Sequence, residues 1–326
     1  MKAKARAYTN IALIKYWGKR DELLFLPTNN SLSITLDKFY TDTSVEFDAS
    51  LKQDQFILDG QHVDSKELKK ISAFLDKVRT STGEVRFARV DSVNHVPIAA
   101  GFASSASGYA ALAAAAMKAT GSNISKRELS QMARQGSGSA SRSIYGGFVE
   151  WQMGVQPDGS DCYAVPLLPQ DAWDLRVLSI EVTHEVKKVL SREGMKRTVE
   201  TSPFFTGWLE AVAADLIEAK QAISTRDFTL LGETLERNAL RMHATTLGAE
   251  PPFMYWQSST VKVMESVQAL RQEGLEAYFT IDAGPNVKVV CQPHDEQGLL
   301  NELSKLDVVK HIYPCRIGPG ITYLDL

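Results

Sequence analysis

The chain has 326 residues, with 44% hydrophobic and 23% charged side chains, 21 glycines and 12 prolines. That composition excludes a disordered, collagenous or coiled-coil chain and predicts one large α/β body or two intimate lobes. Lys and Arg number 36 against 39 Asp and Glu, a net charge of −3, so no general attraction to nucleic acid or an anionic membrane is expected and any anion site must be a local basic cluster. The longest apolar run, Ala110 to Met117, is far short of the roughly 20 residues that span a bilayer. Neither does the basic start Met1 to Asn10 lead into a signal-peptide core, so a cytoplasmic enzyme is expected. Cys162, Cys291 and Cys315 are widely spaced without a CxxC pair and read as small hydrophobes.

In chain order, Ser31 to Leu36 and Thr43 to Phe47 alternate in the manner of strands and predict a hairpin-rich sheet. Apolar residues at Leu68, Ile71, Phe74, Leu75 and Val78 predict a helix over 66–80. A strand over 84–93 then feeds the Pro/Gly/Ser loop 97–107 and an alanine-rich helix over about 105–119. A short helix over 126–135, a polar small-residue segment over 136–143 and strands over 146–153 and 175–182 follow. The second half turns helical, over 208–223, 228–242 and 261–273, before strands over 277–281 and 287–291 that flank a tight turn. No internal repeat or low-complexity linker interrupts the chain, and a lobe boundary is placed near residue 183.

Five segments carry candidate chemistry. Small residues before the alanine-rich helix let an anion approach the unpaired N–H groups of its first turn, so Gly101, Ser104, Ser105 and Ser107 form either a phosphate cradle or a simple helix cap. No GxxxxGK[ST] occurs. The stretch Asn10 to Arg20 packs three cations and two aromatics ahead of a turn and, taken alone, reads as a surface ridge. Hydroxyls and the Arg142 guanidinium in Gly136 to Ser143 could hold a carboxylate or phosphate, or form a flexible loop. Five cations between Lys187 and Arg197 suit a polyanion or a solvated face. Asp282 stands at a strand end before Gly284 and Pro285, as a turn-capping acid, a base or a metal ligand. His95 and His243 receive no role.

Together and in this order, Asn10–Lys19 (NIALIKYWGK), Gly136–Phe148 (GSGSASRSIYGGF), Gly194–Thr201 (GMKRTVET), Arg241–Thr246 (RMHATT) and Asp282–Val287 (DAGPNV) resemble the mevalonate diphosphate decarboxylase family of the GHMP kinase superfamily. The resemblance covers nearly the whole chain. It implies an α+β, GHMP kinase-like two-lobed fold: an N-terminal lobe like ribosomal protein S5 domain 2 (1–183), a ferredoxin-like C-terminal lobe (184–326) and a deep cleft between them.

The activity implied is ATP-dependent conversion of mevalonate 5-diphosphate to isopentenyl diphosphate, ADP, phosphate and CO2, with Mg2+ whose ligands are unknown, in a homodimer. The alternative is a kinase of the same fold that stops after phosphorylation. By motif, Asp282 would orient or deprotonate the tertiary hydroxyl, and Arg142, steadied by Asn10, would hold the substrate carboxylate. Tyr16, Lys19, Ser139, Ser141, Ser191 and Arg192 would bind the acid and its diphosphate. Gly101, Ser104, Ser105 and Ser107 would serve ATP phosphates, and Lys187 the transferring phosphoryl group. Phe102 stands where the superfamily loop more often has Leu, and Asp282-Ala283-Gly284 replaces the kinases' Gly-Ala-Gly, which favours the decarboxylase branch. A tertiary alcohol is a crowded, weak nucleophile, so positioning and charge neutralisation must supply most of the catalysis.

Overall fold

Alanine alternates with basic residues from Lys2 to Ala7, and in the computed structural model, which describes residues 1–96, 104–185 and 187–326, this builds the first strand, β1 (Lys2–Ile14). Its alanines face inward and, beyond Tyr8, both of its faces are covered. Two short strands follow, β2 (Lys19–Asp21) and β3 (Leu26–Pro27), which pair with each other. The next elements are β4 (Ser31–Asp48), β5 (Gln55–Leu58), β6 (Gln61–His62), α1 (Ser65–Thr82) and β7 (Phe87–His95). Asp64 caps α1 by accepting the Glu67 N–H, and Gly83 ends it in the left-handed conformation. After the undescribed stretch 97–103 come α2 (Ser104–Ala119), α3 (Lys126–Arg134), a 3₁₀ segment (Gly138–Ile144), β8 (Phe148–Trp151) and β9 (Ala164–Leu168).

The rest of the chain forms β10 (Arg176–Glu181), α4 (Ser191–Thr201), α5 (Phe205–Thr225), α6 (Phe228–Leu247), α7 (Ser258–Gln272), β11 (Ala277–Ile281), β12 (Val287–Cys291), α8 (Glu296–Leu303), β13 (His311–Arg316) and β14 (Thr322–Leu324). One sheet runs β14-β1-β4-β7-β5-β6, with β8 and β9 branching from β4. The other runs β11-β12-β10-β13, antiparallel throughout.

Three expectations are corrected. The two strands expected at 31–36 and 43–47 are one long strand, because β4 keeps its pairing to β1 through a register shift between Tyr8 and Asn10. The strand expected from Glu84 starts at Phe87, since the Glu84 carboxylate accepts the N–H groups of Val85 and Arg86 and turns the chain first. The polar segment 136–143 is no flexible loop: the 3₁₀ turn buries Ser141, Arg142 and Ser143.

Helix α2 is buried nearly all round, its alanines at 0% exposure, and small side chains let it lie close over β1 and β4. One apolar cluster joins the two sheets, with Leu13, Ile14 and Trp17 on one side and Trp208, Leu235, Met242 and Tyr278 on the other. The walls of the cleft between them are thus held by continuous packing.

Candidate active site

The end of β1, the start of α2, the 3₁₀ segment, the start of α4 and the turn after β11 converge on a cavity of about 400 Å³. Asn10, Lys15, Tyr16, Lys19, Ser104, Ser105, Ser139, Arg142, Lys187, Ser191, Arg192 and Asp282 all line it.

At its centre Lys15 Nζ donates to Asp282 Oδ1 at 2.7 Å and to the Ala12 carbonyl at 2.9 Å. Lys15 follows the last residue of β1, where its backbone N–H has no strand partner, and Asn238 Oδ1 of α6 accepts it at 2.8 Å. Asp282 follows the last residue of β11. Its turn is closed by the Gly284 N–H on the Asp282 carbonyl at 2.7 Å and pinned by Thr260 Oγ1 on the Pro285 carbonyl, also at 2.7 Å. Burial alone would raise the Asp282 pKa, but the ammonium groups of Lys15 and Lys288, with Arg142 behind them, outweigh it and hold the carboxyl below its ordinary value. Burial pushes Lys15 down, opposed by Asp282. The buried Lys288 of β12 is lowered to about 8 for the same reason, and burial takes His243, whose ring lies 3.2 Å from the Ile281 carbonyl, down to about 3. About a quarter of the Asp282 side chain faces the cleft, against 3% for Lys15: the acid is offered to a ligand and the lysine supports it.

Arg142 forms the second centre. Its Nε and one terminal nitrogen donate to Asn10 Oδ1 at 3.3 and 3.2 Å, and the other donates to Ser31 Oγ at 2.6 Å. Asn10 is itself oriented, donating from Nδ2 to the Ser139 carbonyl and Ser143 Oγ at 3.0 and 2.8 Å. Burial lowers the Arg142 pKa to about 10, with Asp282 opposing, so the guanidinium stays charged at neutral pH with its plane held.

The basic run 187–197 divides by direction. Lys187 Nζ turns inward, donating to Ser191 Oγ at 2.7 Å and the Ala283 carbonyl at 2.8 Å, and burial depresses its pKa. Arg192 reaches the Gly136 carbonyl at 2.7 Å. Lys196 and Arg197 face outward and pair along α4 with Glu200 and Glu193. Nor is Asn10 to Arg20 a surface ridge: Lys15 and Lys19 are buried, and the Tyr16 hydroxyl is buried on the cleft wall without a hydrogen-bond partner among the described residues.

Two of the expected contact residues are not on the wall. Ser141 Oγ is spent inside the 3₁₀ turn on the Gly138 carbonyl at 2.7 Å, and Ser107 points from α2 to Thr41 Oγ1 at 2.8 Å; both are fully buried. Gly101 lies outside the described residues. Lys15, Ser31 and Lys288 went unassigned in the sequence. The one available signal was the oddity of a lysine inside the apolar strand Val287–Cys291.

Among the described residues the carboxylates on the wall are Asp282 and Glu185, and no cluster of three metal-ligating side chains occurs. Such a wall suits Mg2+ delivered on a nucleotide, since that ion takes one or two carboxylates and fills the rest of its shell with phosphate and water. Ser104 and Ser105 at the head of α2, with Lys187 nearby on the same wall, suit the phosphates.

A helix-backed N-terminal sheet, a ferredoxin-like second sheet and a cation- and hydroxyl-lined cleft with one central carboxylate define an enzyme of the GHMP kinase fold. Residues 7–164 match the diphosphomevalonate decarboxylase-like N-terminal domain and residues 177–315 the mevalonate 5-diphosphate decarboxylase C-terminal domain. The chain belongs to the mevalonate diphosphate decarboxylase family. The Staphylococcus aureus enzyme structure is 49% identical, with a TM-score of 0.95, over 99% of this chain and 98% of that one. A structure described as MDDEF in complex with MVAPP, AMPPCP and magnesium is 48% identical, with a TM-score of 0.94, over 100% and 99%. The Candida albicans diphosphomevalonate decarboxylase is 37% identical over 93% of this chain and 88% of its own length.

Proposed function

We propose that this cleft carries out ATP-dependent decarboxylation of mevalonate 5-diphosphate to isopentenyl diphosphate, ADP, phosphate and CO2, a carboxy-lyase step of the mevalonate pathway of isoprenoid biosynthesis. The observation that carries the reading is the Lys15–Asp282 pair set in the same cavity as the Asn10-braced Arg142. The 3-hydroxyl oxygen takes the γ-phosphoryl group, the bond to ADP breaks, and the hydroxyl proton is lost. The C3–O bond then breaks with phosphate leaving, while the C1–C2 pair becomes the double bond and C1 departs as CO2.

Asp282, kept ionised by Lys15, orients the hydroxyl; a carboxyl held below its ordinary pKa is a weak base toward an alcohol, so positioning and electrostatics dominate over early proton removal. Arg142 holds the substrate carboxylate aligned with the breaking bonds. Tyr16, Lys19, Ser139, Ser191 and Arg192 receive the diphosphate end, and Lys187 reaches the transferring phosphoryl group. Mg2+ shields the nucleotide's phosphate charge.

The lobe boundary expected near residue 183 is better placed ahead of β10, because β10 (Arg176–Glu181) pairs on both sides with strands of the second sheet, β12 and β13. A cytoplasmic homodimer is proposed with the activity. The support for the first part is that no helix among the described residues is long and apolar enough to cross a membrane; sedimentation analysis tests the second. The decisive assay follows ADP and CO2 separately from mevalonate 5-diphosphate. One of each per substrate is expected, and ADP without CO2 would make the protein a kinase.

A further inference from the structure

Phe25 holds a backbone φ of +54°, in the left-handed region that bulky side chains rarely adopt. Asp21 builds the turn that puts it there, its Oδ1 accepting the N–H groups of Leu23 and Leu24 at 2.9 and 2.7 Å. Backbone strain of this kind persists where the surroundings enforce it, and it gathers at ligand sites.

The ring so displayed is on the cleft wall and carries three cations from three separate elements. Lys19 Nζ of β2 lies 4.7 Å from its centroid, the Arg192 guanidinium of α4 4.9 Å, and Lys77 Nζ of α1 5.4 Å. Among the described residues, the one ion pair that any of the three makes is Lys19 with Glu22 at 2.5 Å. Lys77 also donates to the carbonyls of Leu23 and Gln135, at 3.4 and 3.2 Å, and Arg192 to that of Gly136, so these two brace the turn of Phe25 against the corner where the 3₁₀ segment begins. Three like charges around one ring repel each other. The negative face of an aromatic ring offsets part of that repulsion, which an aliphatic side chain of the same bulk cannot do, and a polyanion lying among them would offset the rest.

We infer that Phe25 is a positioning residue for the diphosphate end of the substrate, its π face gathering Lys19, Lys77 and Arg192 into one anion-binding arm. The inference rests on reading the cleft as the mevalonate 5-diphosphate site. Lys77, which is not on the cleft wall, contributes its charge from behind.

The test replaces Phe25 with trifluorophenylalanine, which keeps shape and removes most of the negative ring face, alongside Phe25→Leu and Phe25→Trp. Steady-state kinetics and calorimetric titration with inorganic diphosphate are both read. In the fluorinated and leucine variants, the KM for mevalonate 5-diphosphate and the Kd for inorganic diphosphate should rise together by about threefold to thirtyfold. Meanwhile kcat and the KM for ATP should stay within about twofold, and Phe25→Trp should remain near the parent, because indole has the stronger π face. A fluorinated variant with the parent's KM and Kd overturns the inference and leaves Phe25 a spacer. If the parent does not turn over mevalonate 5-diphosphate, the functional reading fails instead, and the inorganic diphosphate titration still decides the role of the ring.

Discussion

Lys15 and Asp282 stand 267 positions apart in the chain and 2.7 Å apart in the cleft. Lys15 directly follows β1 of the first sheet and Asp282 directly follows β11 of the second, so the ion pair exists only while the two sheets keep their relative position. Asn238 reinforces that link: it accepts the Lys15 N–H and donates to the buried Asp215, on which Arg237 and Arg241 also converge.

Asp282→Asn keeps the shape of the side chain and removes the charge needed in the transition state. Turnover should fall by far more than about tenfold, with affinity for nucleotide and for mevalonate 5-diphosphate within a few-fold of the parent. Single-turnover kinetics and equilibrium titration check this, and turnover retained within about tenfold would remove Asp282 from the chemistry.

Lys15→Met tests the support rather than the acid. The ammonium counters the rise in pKa that burial imposes on Asp282, so its loss moves the carboxyl upward. Since the ionised form is the working one, the acid limb of the kcat/KM profile should shift to higher pH, with activity lost earlier as pH falls. A limb in the parent's position would show that Lys15 does not set the charge of Asp282.

The sequence placed α1, α2, α3, α5, α6 and α7 to within about five residues and β11 and β12 end for end, because these elements bury one face or both with apolar side chains, but it missed α4, whose basic run masks its short buried face, and the short α8. Strand β1 escaped although Lys2 to Ala7 alternates, since alanine is a poor strand former and its small side chain gives the inward face little apolar signal. Asn10, Arg142, Lys187, Arg192 and Asp282 were nameable from motifs and do meet in one cavity. Lys15 sits in the same motif as Lys19, yet a lysine near an exposed-looking turn announces no burial, and its partner is in the other sheet. Ser107 and Ser141 lie off the described wall for the converse reason: a hydroxyl beside a cleft motif bonds its own turn or its neighbour strand when its Cβ points inward.

His243 provides a stability test. Its pKa drops from the ordinary 6.5 to about 3, first through burial and then through the charge of Lys15. Between those values the unfolded chain binds a proton that the folded one refuses, so this group's contribution is full above pH 6.5 and is lost as pH falls towards 3. The slope from this one site approaches about 1.4 kcal/mol per pH unit. His243→Asn, denatured in urea at several pH values across that window, should show a flatter decline than the parent. Parallel declines would mean that His243 is protonated in the fold.

The last prediction concerns Arg142 and the two groups that hold its plane. Asn10 Oδ1 takes two of its N–H groups and Ser31 Oγ a third, so Arg142→Ala and Asn10→Ala should damage one interaction, and the double variant should lose less than the sum of the singles. Asn10→Ala also frees the Ser139 carbonyl and Ser143, which would blur its meaning. Ser31→Ala is therefore the cleaner partner in a second cycle, and its single loss should be smaller, about threefold to tenfold, as befits one hydrogen bond to a charged group. A kinase need only bind the carboxylate, whereas a decarboxylase must keep it aligned while the carbon–oxygen bond breaks, so the defect should extend to the step after phosphorylation. In rapid-quench experiments that follow ADP and CO2, the parent should release the two together and the Arg142 and Ser31 variants should let CO2 lag behind ADP as the 3-phosphate accumulates. Equal slowing of both products, with additive losses in both cycles, would show that the guanidinium serves binding alone.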